Sequence, residues 1–196
     1  SPSFDSLASL ALALKGFSMS TAAVTPISAA MPSAPLHTIS ILVRNKPGVL
    51  VRIALVFARR GYNIESLVVS ADAVNAAFSR MTITCSGDPE TLEQIIKQLT
   101  KLIDVVRAID HTSEAVIETE TALVKIRCKL DERTEILQIS EQYNAKVVDY
   151  GPDSLVLRLY GVSAKLDAFF ELMQRFDVVE LMRSGKVLMA RGLEAT

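Results

Sequence analysis

The chain has 196 residues, with 21 Lys+Arg set against 22 Asp+Glu and a formal net charge of -1. That length suits one ordinary domain or two small ones, and 49% hydrophobic residues supply a core, which excludes wholesale disorder. The balanced charge argues against a nucleic-acid or anionic-membrane binder, either of which wants a basic surplus.

Residues 1–35 are rich in Ser, Ala and Pro and carry only Asp5 and Lys15 as charges. No basic segment precedes the short apolar run at 7–14, so a secretory signal is not indicated. The stretch is expected to be a disordered extension or a targeting remnant of plastid type. From Leu36 the punctuation becomes regular. Residues 38–44 alternate with apolar Ile39, Ile41 and Val43, which predicts a strand. Asn45-Lys46-Pro47-Gly48 breaks it. The spacing of Val49, Leu50, Ile53, Val56 and Phe57 then predicts a helix that ends at Arg59-Arg60-Gly61, with cations in the last turn and glycine just beyond. Strands are predicted over 64–70 and 77–85. Asp88-Pro89 supplies an N-cap and a first-turn proline for a helix expected to bury Leu92, Ile95, Ile96, Leu99 and Ile103. A strand at 105–110 completes a β-α-β-β-α-β order, the split ferredoxin-like unit.

The architecture then recurs. Residues 121–128 alternate as a strand, and 132–143 carry a helical stripe of Ile136, Ile139 and Tyr143. Strands at 145–150 and 154–160 flank the turn Gly151-Pro152-Asp153, a hairpin signal. Ser163 is read as the cap of a helix burying Leu166, Phe169, Phe170 and Met173, and strands at 177–182 and 186–190 close the unit. The predicted fold is α+β, with two tandem ferredoxin-like βαββαβ domains over 36–112 and 120–192.

Catalytic chemistry is hard to find. Cys85 and Cys128 form no CxxC and no Cys/His cluster, so they read as reduced thiols, and no metal site is expected. His37 and His111 flank strand ends and read as ordinary surface histidines. Phosphate-loop and dinucleotide fingerprints are lacking, as are the stacking aromatics of an RNA-binding sheet. One constellation stands out: Asn45, Gly48, Val49 and Leu50 join a strand to a helix. Gly48 lets the backbone approach a ligand, and the first-turn N–H groups face an anion with the dipole behind them. Asn63, beyond the far end of the same helix, offers a second amide. Together with Leu50 and Ile64 these groups suit an aliphatic zwitterion: donors for its carboxylate, amide oxygens for its ammonium. The same parts also make an ordinary strand-to-helix connector.

Asn45-x-Pro-Gly-Val-Leu50, followed by Phe57-Ala-Arg-Arg-Gly-Tyr-Asn-Ile-Glu-Ser-Leu67, resembles the regulatory (small) subunit of acetolactate synthase, also called acetohydroxyacid synthase. Ser79-Arg80-Met81-Thr82-Ile83, Leu102-Ile103-Asp104-Val105, Leu123-Val124-Lys125-Ile126 and Arg183-Ser184-Gly185 extend the likeness over about 38–192. The resemblance implies an N-terminal ACT domain, a ligand-sensing module, and a chain that is not itself catalytic. Thiamine diphosphate, Mg²⁺ and FAD would then belong to a catalytic large subunit, which joins two pyruvates, or pyruvate and 2-oxobutyrate. It further implies a homodimer through ACT domains, with valine held at the pairing edge by Asn45 and Gly48 to Leu50 of one chain and Asn63-Ile64 of the other. A single such unit favours a bacterial-type, cytoplasmic protein, with plastid stroma as the alternative if residues 1–35 are a transit remnant. The competing reading is a stand-alone ACT-type amino-acid sensor acting on another target.

Overall fold

The computed structural model describes residues 35–193 and 196; the extension expected over 1–35 lies outside them except for its last residue. The first unit runs β1 (Leu36–Arg44), α1 (Val49–Arg59), β2 (Asn63–Ala71), β3 (Phe78–Ser86), α2 (Pro89–Leu99) and β4 (Val105–Asp110), with strand order β2-β3-β1-β4. The second runs β5 (Ile117–Arg127), α3 (Leu130–Gln142), β6 (Lys146–Tyr150), β7 (Ser154–Gly161), α4 (Ser163–Met173) and β8 (Asp177–Arg183), with order β6-β7-β5-β8. Both are the expected ferredoxin-like βαββαβ arrangement.

Alternation along β1 puts Ile39, Ile41 and Val43 on one face, each almost fully buried against Ile53 and Phe57 of α1 and Ile95 and Leu99 of α2. The second core repeats the scheme with Val124 and Ile126 of β5, Ile136 of α3 and Phe169 of α4. There Phe169 meets Tyr143 at 5.4 Å between ring centroids and Phe170 at 6.1 Å, tilted and edge-on geometries that suit the ring quadrupoles. Asp88 caps α2 by accepting from the Thr91 N–H, with Pro89 at the first helical position, as its sequence predicts. Arg133, buried on α3, donates from Nη2 to the carbonyls of Gly151 (2.8 Å) and Pro152, with its guanidinium 4.6 Å from the Tyr150 ring centroid. That contact ties the predicted β6–β7 hairpin to the helix above it.

Four expectations need correction. Helix α2 ends at Leu99 and the chain turns before β4, so Ile103 does not continue the buried stripe but is 82% exposed. Ser163 is the first helical residue of α4, not its cap, which is Val162. Its hydroxyl donates instead to the buried Glu120 carboxylate, a stronger demand than an exposed helix end makes. The last strand is the short β9 (Val187–Met189), and it pairs with the start of β5 at Ile117–Thr119.

The histidines are the fourth. His37 and His111 are each only 4% exposed. His37 Nε2 donates to the Gly87 carbonyl (3.0 Å), and its Nδ1 lies 3.3 Å from Thr112 Oγ1, whose own proton goes to the Asp110 carboxylate. His111 Nδ1 faces the Glu114 carboxylate at 2.6 Å and its Nε2 lies 2.7 Å from Ser40 Oγ. A carboxylate can only accept, so Nδ1 carries the proton and Nε2 takes the serine proton's hydrogen bond. This chain copies the order of a nucleophile, base and orienter, but Ser40 is a mid-strand residue only 8% exposed. Its evident work is to strap the segment after β4 onto β1.

At the junction of α1 and β2, Gly61 (φ 68°) reverses the chain and drives Tyr62 inward, where its hydroxyl donates to the Asp88 carbonyl. The Tyr62 ring lies flat over Gly87: a Cβ there would stand 2.4 Å from its Cζ. Gly87→Ala is therefore expected to displace a buried, hydrogen-bonded ring and lower stability by about 1–3 kcal/mol. A urea titration with an unchanged midpoint for this variant would contradict the packing.

Candidate functional site

Arg44 leaves β1 with its N–H bonded to the Asp104 carbonyl (2.8 Å), and Asn45 N–H bonds the Ala77 carbonyl (2.8 Å). The Asn45 side-chain amide donates to the Ala76 carbonyl (3.1 Å), which leaves its Oδ1 as the group to offer a ligand. Gly48 then takes the left-handed conformation (φ 81°) and stands at the N-cap of α1 without any side-chain cap, and no acidic residue occupies the first turn. The helix start thus has no side-chain cap and no first-turn acid at the positive end of its dipole, and its Val49 N–H bonds only the Lys46 carbonyl at a long 3.4 Å. An ideal Cβ built on Gly48 meets nothing within 4 Å among the described residues, so they leave the space over this backbone open. Val49 points into the core, whereas Leu50 is 41% exposed.

The loop is held from beneath by a residue that the sequence pattern does not mark. Asp104 is buried, and its carboxylate takes Arg52 Nη2 of α1 at 2.6 Å and Lys46 Nζ of the loop at 3.8 Å. One carboxylate and its own backbone carbonyl thereby fix the end of β1, the loop and the first turn of α1 together. Its only trace in the sequence is its place in the Leu102–Val105 string.

Asn63 and Ile64 open β2 at the other end of α1. Eleven helical residues separate the two loops, about 16 Å at 1.5 Å per residue. Within one chain, then, Asn45, Gly48, Val49 and Leu50 come together, and Asn63 and Ile64 do not join them. Asn63 Nδ2 donates to Glu65 Oε1 (2.8 Å), which also accepts from Ser86 Oγ (2.7 Å). These bonds, the serine's first, hold the Glu65 carboxyl below its ordinary range, so it remains an acceptor into acid. Glu65 is the extra residue of a bulge, the β2–β3 register shifting between Ile64 and Ser66. Ile64 contacts the core while Asn63 is exposed at the sheet edge.

Other chemistry is muted. Burial first, then Asp110 and Glu65, pushes the Cys85 thiol up to about 12, so it stays neutral and unreactive. Among the described residues no group of three or more His, Cys, Asp or Glu is placed to hold a metal ion, and no helix is long and apolar enough to cross a membrane.

Comparison with known proteins returns one answer for both units. A family model described as the AHAS small subunit-like ACT domain matches residues 39–107, and one described as the small subunit of acetolactate synthase matches 119–192. The chain is 42% identical over 156 residues to a probable acetolactate synthase small subunit of Archaeoglobus fulgidus, covering 80% of this chain and 97% of that protein. It is 40% identical over 156 residues to the acetolactate synthase small subunit of Mycobacterium bovis, covering 80% and 92%. The crystal structure of the acetolactate synthase small subunit from Thermotoga maritima superposes with a TM-score of 0.73 at 37% identity, covering 81% of this chain and 98% of that one.

The clamp beneath the loop makes a direct prediction. Asp104→Asn keeps the volume and removes the charge that gathers Arg52 and Lys46. Both cations are half-exposed and will re-solvate, so the expected loss is about 1–2 kcal/mol of stability. Amide exchange should accelerate over 44–52 beyond what that global loss explains. Protection in this segment that falls only in step with the second unit would show that Asp104 does not order the loop.

Proposed function

Because the chain belongs to the acetolactate synthase small-subunit family, we propose that it is a non-catalytic regulatory subunit, which activates a catalytic large subunit and makes it sensitive to valine. The partner carries thiamine diphosphate, Mg²⁺ and FAD and joins two pyruvates, or pyruvate and 2-oxobutyrate, in branched-chain amino-acid biosynthesis. The bacterial and archaeal relatives support a cytoplasmic setting. Similarity across both units supports this role over that of a stand-alone amino-acid sensor.

The observation that carries the effector reading is the sheet register. Arg44 pairs with Phe78 and Ala71 with Ser79, so the ends of β1 and β2 lie side by side on β3. Loop 45–48 therefore sits at the C-terminal end of β2, which is the edge of this sheet among the described residues. An antiparallel, two-fold pairing of β2 with the β2 of a second copy brings that copy's Asn63 and Ile64 to this loop. Exposed Leu50, Val51 and Leu55 on α1 and Val69 on β2 supply apolar surface to bury there. The valine carboxylate then meets the uncapped start of α1 at Gly48 and Val49. Its ammonium meets the oxygens of Asn45 and the second Asn63, and its isopropyl group meets Leu50 and Ile64.

Sedimentation should find a dimer at micromolar concentration, and a monomer with and without valine would contradict the pairing. In a reconstituted enzyme the purified chain alone should turn over no pyruvate, while its addition raises the partner's rate. Gly48→Asp should abolish valine inhibition and retain activation, since the open space and left-handed backbone admit aspartate while its carboxylate repels the ligand's. Asn63→Ala should raise the half-inhibitory concentration from a few-fold to about a hundredfold. A wild-type inhibition curve for Gly48→Asp would remove the effector from this loop.

A further inference from the structure

The Arg183-Ser184-Gly185 string, part of the family likeness, lies far in sequence from the proposed effector groups, and its geometry gives it a separate task. Arg183 at the end of β8 is held by Glu120 through Nε (2.8 Å) and Nη2 (2.7 Å), and by Asp167 through Nη1 (2.6 Å). Ser184 exchanges two hydrogen bonds with Thr121: its N–H donates to the Thr121 carbonyl (2.9 Å) and its Oγ accepts the Thr121 N–H (3.0 Å). Lys186 Nζ donates to Glu118 at 2.9 Å. The residues on both sides of Gly185 are thus pinned to β5, and the turn cannot yield independently of the second unit.

Gly185 is pressed against the first unit. An ideal Cβ on it would stand 3.0 Å from Ser66 Cβ, 3.1 Å from Ser66 Oγ and 3.1 Å from Val68 Cγ2, tighter than an ordinary Cβ contact, so that an added methyl group pushes β2 side chains aside. Ser66 and Val68 belong to β2, immediately after the bulge at Glu65 that separates them from Asn63 and Ile64. On the same sheet face Thr84, the register partner of Ser66, keeps its Oγ1 buried with no hydrogen-bond partner. Among the described residues an unmet hydroxyl thus lies beside this tight contact.

We infer that Gly185 is the positioning residue through which β2 reports effector occupancy to the second unit: a ligand that draws Asn63 and Ile64 toward a paired chain shifts Ser66 and Val68 against a turn fixed to β5. This rests on the effector reading above and adds its route of transmission. Close-packed contacts transmit such shifts because they cannot absorb them.

The test compares three quantities in the full chain with its catalytic partner: the valine Kd by calorimetry, activation without valine, and the half-inhibitory valine concentration. Gly185→Ala crowds the contact. Gly192→Ala is the strain-matched control, since Gly192 has a similar φ (76°) but nothing within 4 Å of an added Cβ. Val68→Ala opens the contact without any clash and guards against misfolding of the first variant. Gly185→Ala and Val68→Ala should each move the half-inhibitory concentration by about fivefold or more with the Kd unchanged. Gly192→Ala should move neither, and the Gly185→Ala/Val68→Ala pair should return toward wild type. A shift in Kd that parallels inhibition, an equal effect of Gly192→Ala, or wild-type curves for both contact variants overturns the inference while leaving valine sensing intact. A wild-type chain that neither binds valine nor confers inhibition overturns the effector reading, and this route with it.

Discussion

A crossover helix between two parallel strands, β1 and β2, that flank β3 governs this molecule. Strands β1 and β2 both run antiparallel to β3, so α1 must carry the chain back along the sheet between them. The loop that enters α1 and the residue that leaves it consequently lie at opposite ends of the sheet. That constraint splits the amide pair Asn45 and Asn63, so that each chain carries half of the proposed zwitterion site at each end of one edge. Among the described residues it also leaves β2 unpaired on its outer side, beside the exposed face of α1, the edge at which the proposed pairing takes place.

What the sequence revealed was whatever depends on neighbours along the chain. Alternation at Ile39, Ile41 and Val43, the Asp88-Pro89 cap and the Arg59-Arg60-Gly61 stop are local, and the structure contains all three. Ile103 misleads because a helical spacing continues on paper through residues where the hydrogen-bonded helix has already stopped at Leu99. The histidines mislead for the opposite reason. Polar side chains at strand ends look solvated until their partners are found, and Ser40 lies 71 residues from His111, Gly87 50 residues from His37. Asp104 had no pattern at all to mark it, because one carboxylate between a loop and a helix has no periodicity. The effector residues were legible through a family string; their separation within one chain follows from topology.

The buried polar groups are concentrated where elements must keep a fixed relation. Glu120 with Arg183 and Ser163 joins β5, β8 and α4; Asp104 joins β1, the loop and α1; His111 joins β1 to the following segment. Replacing any of these by apolar side chains could preserve stability, since a buried ion pair gains little over good packing. What they supply is geometry. A guanidinium held by two carboxylates has few alternative positions, whereas a Leu in the same place has several.

On the effector reading proposed above, splitting the site between chains has a thermodynamic consequence. Each chain alone offers the ligand either the helix start and Asn45 or the Asn63 edge, and an isolated half satisfies only part of a zwitterion. Ligand binding and pairing at β2 are then linked: the ligand favours the paired state by as much as pairing favours the ligand. A typical coupling of about 1–3 kcal/mol changes either affinity by roughly 5- to 150-fold. That range is enough to make the response steep near the working concentration of the amino acid without requiring a tight site. It also accords with an edge that is apolar on α1 and bulged on β2. Pairing must be strong enough to form the site, and weak enough that an amino acid of a few heavy atoms can still shift its geometry.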